Sequence, residues 1–137
     1  MPMTFTLDQW SIVPGPRRIR PPFDSTHLDE IEEYSPQLVA DATLALPGAR
    51  LIQPAHPDWC SWLARCSTDD GYIDLRMTLF DTDPIRWGGF RLAGRASPES
   101  LLELYTHLHL ALPAAWLHNT DCELHTAESF GAKVRAA

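Results

Sequence analysis

"WCSWLARCSTDDGYIDLRMTLFDTDPIRWGGFRLAGRA", residues 59–96, decides the fold. Within it Ile73, Leu75, Met77 and Leu79 alternate with Tyr72, Asp74, Arg76, Thr78 and Phe80. That period of two belongs to a strand with one face in a core and the other amphipathic. The segments "STDDG" and "DTDP" are rich in residues that bond their own backbone or set turn geometry, so they cut the run into three antiparallel strands. Upstream, the same alternation places Cys60, Trp62, Ala64 and Cys66 on one face. In the third strand Ile85 and Trp87 change parity relative to Phe90 and Leu92 across Gly88-Gly89, which predicts a β-bulge.

Helical signals flank this meander. Ser97 caps a helix, Pro98 takes its first position and Glu99 complements the positive end of the dipole. Leu101, Leu104, Tyr105, Leu108 and Leu112 recur at three- and four-residue steps, giving one apolar stripe until Pro113. Ser35-Pro36 repeats the device for an earlier helix, expected to turn Leu38, Val39, Ala42 and Leu46 inward until Pro47-Gly48. Before it, Ser25 or Thr26 can cap a first helical region carrying Asp29, Glu30, Glu32 and Glu33.

Residues 50–54 read as a brief strand, and the tail alternates enough for a last one around 123–129. At the amino end Phe5, Leu7, Trp10 and Ile12 alternate, and then Pro14, Pro16, Pro21 and Pro22 make residues 13–23 a surface connector that also holds Arg17, Arg18 and Arg20. The expectation is one α+β domain over residues 1–137, a mostly antiparallel sheet (the three-strand meander plus flanking strands) with helices packed on one face.

The chain has 137 residues, 45% of them hydrophobic and 21% charged, and a formal net charge of -7. That composition supports a packed core. The negative balance argues against attraction to nucleic acid or anionic lipid over most of the surface. Neither an 18-residue apolar run nor a basic-then-apolar leader is readable, so the expected compartment is the cytoplasm. Cys60, Cys66 and Cys122 are an odd set without close spacing, which suits reduced, buried thiols.

The most chemistry-like stretch is "HLHLALPAAWLHNTDCELH", residues 107–125. Spacing takes it apart. His107 and His109 are two apart on a helix and diverge by about 200°. Pro113 separates them from the later histidines, Asn119 to Asp121 reads as a turn between helix and strand, and Cys122 and His125 would point to opposite faces of a strand. Only His118 with Asp121 and His125 remains as a fallback metal site. His56 with Cys60 resembles a base–thiol pair, but no oxyanion-binding turn adjoins it and the stripe from Cys60 to Cys66 suits a core. Asp69-Asp70 and Asp81-x-Asp83 fall in turns, where aspartate bonds its own backbone. No phosphate-binding, nucleophile-elbow or metalloprotease motif is present, and no cofactor is expected.

Charge is segregated instead. Carboxylates crowd the first helical region, while Arg65, Arg76, Arg86, Arg91 and Arg95 lie in the meander among Tyr72, Phe80 and Trp87. Arginine mixed with aromatic residues on a sheet face is what protein interfaces enrich; cross-strand pairing with Asp74 and Asp81 is the plainer account. The resulting expectation is a small acidic binding protein, of immunity, inhibitor or secretion-accessory type, that acts without catalysis by occupying a partner protein. Its candidate surfaces are the acidic set Asp29, Glu30, Glu32 and Glu33, which suits a basic partner, and the sheet-face set Tyr72, Arg76, Phe80 and Arg91. A small metal-assisted hydrolase and a structural, homo-oligomeric subunit are the alternatives.

Overall fold

The computed structural model describes residues 5–15, 34–54, 59–80, 84–119 and 124–125. In chain order these form β1 (Phe5–Thr6), β2 (Trp10–Pro14), α1 (Pro36–Leu44), β3 (Ala49–Gln53), a 3-10 turn (Trp59–Ser61), β4 (Leu63–Thr68), β5 (Gly71–Phe80), β6 (Arg86–Ala96), α2 (Pro98–Ala111), β7 (Ala115–Asn119) and β8 (Leu124–His125). The strands make one antiparallel sheet in the order β3-β4-β5-β6-β2-β7-β8, and β1 pairs with β6 beside β2. This is the α+β fold that the sequence predicts.

The meander forms as its alternation requires. Ile73, Leu75 and Met77 are buried on β5, opposite Gly94, Leu92 and Phe90 of β6. Thr78 pairs with Gly89 but Leu79 pairs with Trp87, so Gly88 is the extra residue of a bulge, and Gly89 takes the positive φ of 121° that an L side chain resists. Trp87 and Phe90, three positions apart, therefore both face the core, each 1% exposed. Ile85 does not join them: it lies ahead of the first β6 ladder pair, Phe80–Arg86, and is 44% exposed. Cys60 is likewise not a strand residue, because the 3-10 turn intervenes before β4; Trp62, Ala64 and Cys66 do form the buried stripe.

Both helices start at the Ser-Pro signals. Ser35 Oγ accepts from Leu38 N at 3.2 Å and Ser97 Oγ from Ser100 N at 3.1 Å. The core stripe of α2 is Leu101, Leu104, Tyr105 and Leu108, followed by Leu112. Val39 of α1 and Leu46 just past its end point inward as expected, but Leu38 is 50% exposed and Ala40 and Thr43 occupy the packed side. Small residues there let α1 approach the sheet closely, and the Thr43 hydroxyl is satisfied by Val39 O at 2.7 Å.

Residues 115–119 correct the expected helix end. They are a strand, paired along its whole length with β2 from Trp10–Asn119 to Pro14–Ala115. Asn119 thus ends a strand rather than opening a turn, and Val13 and Pro14 belong to β2 rather than to the connector. Gly15 N donates to Ala114 O at 2.8 Å, extending the pairing by one bond; the rest of the connector and the first helical region lie outside the described residues.

Both helices and one side of the sheet share a single hydrophobic cluster. Its aromatic centre joins Trp62, Phe90, Trp87 and Tyr34 through centroid distances of 6.0, 5.4 and 6.2 Å. Tyr34, just before α1, ties that helix start to β6 and to the turn after α2, since its carbonyl accepts from Trp87 N at 2.9 Å and its hydroxyl from the buried Ala114 N at 3.0 Å.

Candidate functional site

Because α1 and α2 pack on one side, the other side of the sheet is free of helices among the described residues. Register shows what occupies it. Tyr72, Asp74, Arg76, Thr78 and Phe80 of β5 alternate with the core set, and their cross-strand partners share their face. One row runs Gln53, Leu63, Arg76, Arg91, Ser11 and His118 across six strands. On one side of it lies the row Arg50, Arg65, Asp74 and Ala93; beyond that come Ser67, Tyr72 and Arg95, while Phe80 meets Arg86 at the far end. Arg50, Arg65, Arg76, Arg86, Arg91 and Arg95 thus share a face with one carboxylate among the described strands, that of Asp74. In a chain of net charge -7 the described strands thus carry an excess of cations on this face.

The bulge creates this arrangement. Arg86 and Arg91 are five positions apart and would face opposite ways on a regular strand; the extra residue at Gly88 brings both to the open side as it brings Trp87 and Phe90 to the core.

The single carboxylate is already engaged. Asp74 accepts from Arg65 Nε at 2.7 Å and Nη2 at 3.1 Å, a two-bond fork, with side-chain exposures of 31% for Arg65 and 15% for Asp74. Arg65 also lies 4.3 Å over the Tyr72 ring. The hydrogen bond to Asp74, first, and its negative charge hold the Arg65 guanidinium above its ordinary value. Arg76 and Arg91 are exposed, directly opposed, and make no ion pair among the described residues. Tyr72 and Phe80 are about two-fifths exposed beside them.

The sheet-face candidates Tyr72, Arg76, Phe80 and Arg91 are therefore brought onto one surface, and register adds Arg50, which its isolated strand had concealed. The acidic candidates Asp29, Glu30, Glu32 and Glu33 lie outside the described residues, as do His56, Asp81, Asp83, Asp121 and Cys122. His118 sits on β7 opposite Leu124, whereas His125 stands opposite Leu117, so the two histidines are not cross-strand partners. No group of three or more His, Cys, Asp or Glu among the described residues is placed to hold a metal ion.

The described side chains of His107, His109 and Cys66 lie elsewhere. His109 Nδ1 donates to Ala115 O at 2.8 Å and its ring packs between Tyr105 and Trp116, at 5.5 and 5.0 Å. His107, on a different side of α2, lines a cleft of about 220 Å³ with Asp69, Glu103 and Ser100. Cys66 reaches the same cleft, but burial pushes its thiol up to about 11, away from nucleophilic use at neutral pH. Asp70 accepts from Thr68 Oγ1 at 2.9 Å and Ser100 Oγ at 3.2 Å, tying the β4–β5 turn to the start of α2.

No known family model, no curated protein and no solved structure matches this chain. No helix among the described residues is long and apolar enough to cross a membrane.

Proposed function

We propose that this chain is a binding protein that acts by occupying a partner protein through the open face of its sheet, without catalysis of its own. The observation that supports this reading is the Arg and aromatic face itself, where Arg76 and Arg91 stand exposed between Tyr72 and Phe80 on a continuous antiparallel sheet. Such a surface supplies hot-spot residue types on regular elements, so little ordering is required when a partner docks. An inhibitor, immunity or secretion-accessory factor working in the cytoplasm is the class that fits a small acidic chain of this kind.

Site-specific photo-crosslinking tests the reading. A benzoyl-phenylalanine at Ala93, exposed at the centre of the face, should give one discrete protein adduct in the native cells. The same group at Leu110, exposed on α2, serves as the control surface. No adduct at position 93, or an equal one at position 110, rejects the open face as the interface.

A further inference from the structure

We infer that the segment received by this face is acidic, a run of Asp or Glu side chains on the partner protein, with Arg76 and Arg91 acting together as its carboxylate clamp. The inference rests on the open-face reading and adds the chemistry of the occupant. Like charges directly opposed across a ladder disfavour the sheet. Here Arg76 and Arg91 are directly opposed with no carboxylate among the described residues paired to either, and the neighbouring Asp74 is committed to Arg65 through both oxygens. Two planar forks side by side match the two oxygens of a carboxylate, which can accept from both at once. Among the described residues, the positions flanking the pair in its own row carry no charge: they are Leu63 and Ser11.

Arg50 adds a cation one row away on β3, so a second acidic side chain along the same segment would also meet a positive charge. Tyr72 and Phe80 lie on the same strand as Arg76, four positions to either side, and offer apolar contact for the stems of those side chains. An extended peptide segment suits these rows better than a small anion, since a lone carboxylate would gain one contact and remain largely in water.

The test uses the full chain with a fluorescein-labelled glutamate-rich peptide, the same peptide with every Glu replaced by Gln, and a single-stranded RNA of equal charge. The Glu peptide should bind in a salt-sensitive manner. The Gln peptide should bind at least about tenfold more weakly. Arg76→Ser with Arg91→Ser should weaken the Glu peptide roughly a hundredfold while leaving the unfolding midpoint unchanged or raised, because a repulsive pair is removed. Ala93→Glu, which places a carboxylate on the same face, should weaken it by about tenfold and serves as an independent variant. Absence of Glu-peptide binding, equal binding of the Gln peptide, tighter binding of RNA, or wild-type affinity in the double variant overturns the inference. A partner adduct at position 93 together with failure of the peptide overturns the acidic occupant alone; absence of that adduct overturns the reading beneath it.

Discussion

Replacing Gly89 by alanine probes the bulge that sorts this sheet into two faces. The residue sits at φ 121°, and a Cβ there would lie 2.5 Å from Ile12 O and 3.5 Å from Val13 Cα. Holding an L residue in such a conformation costs roughly 1–3 kcal/mol. The carbonyl it meets belongs to the segment of β2 that pairs with both β6 and β7, so retreat loosens backbone hydrogen bonds worth about 1 kcal/mol each. The expected loss is about 3–5 kcal/mol, a large part of the ~5–15 kcal/mol typical of a domain. With a urea slope on the order of 2 kcal/mol per molar, the midpoint should fall by about 2 M. Tryptophan fluorescence reads the transition directly, since Trp62 and Trp87 are buried against Phe90. A loss below about 1 kcal/mol would refute the reasoning, because Gly→Ala at a compatible, uncrowded site is stabilising by roughly 0.4–1 kcal/mol.

Other outcomes turn on single contacts. Tyr34→Phe removes the acceptor for the buried Ala114 N–H and should cost about 1–2 kcal/mol, lowering Tm by about 3–7 °C; an unchanged melting curve would show that this bond carries no weight. The hydrogen bond from Ser97, first, and those from Thr68 and Ser100 hold the Asp70 carboxyl below its ordinary value of 3.8. Its contribution to stability should therefore be complete above that pH and be lost as pH falls below it, while Asp70→Asn removes this part of the acid dependence in urea titrations carried out from about pH 5 to about pH 2. Cys66, raised to about 11 from 9.0, favours its neutral thiol in the folded state, so stability should fall as pH rises from 9.0 towards 11. In a Cys60→Ser, Cys122→Ser background it should react with a disulfide reagent at about pH 8 only as fast as the chain opens; immediate labelling would contradict its burial.

Local signals were the legible part of this fold. The alternation of β5 survives because one face is buried and the other wet, and the parity break at Gly88-Gly89 could be read because Trp87 and Phe90 both need the core. The Ser-Pro starts of α1 and α2 were equally plain, as capping depends on neighbouring residues alone. Residues 115–119 were not readable: Trp116 and Leu117 are both buried, so the strand loses its period of two and "AAWLH" resembles a helix turn. Leu38 misled because hydrophobicity ranks it above Ala40 and Thr43, whereas close packing of α1 selects for size. The co-facial set Tyr72, Arg76, Phe80 and Arg91 was visible strand by strand. That Asp74 is consumed by Arg65 while Arg76 and Arg91 oppose each other is a matter of register, which no single strand discloses.

The position of β2 has a consequence for biosynthesis. Ile12 pairs with Phe90 on one side and Leu117 on the other, so β2 leaves the ribosome well before both of the strands that enclose it. At ~5–20 residues per second, a strand waiting for partners on the order of 100 residues away stays unpaired for roughly 5–20 s. When β6 completes the meander its free edge can be taken by β2 of the same chain or by the identical strand of a second nascent chain, and until β7 arrives either strand is held on one side alone. Exchange of residues 5–15 between neighbouring chains is the misassembly this topology invites, and slower translation over the α2–β7 region should raise the share of swapped dimers.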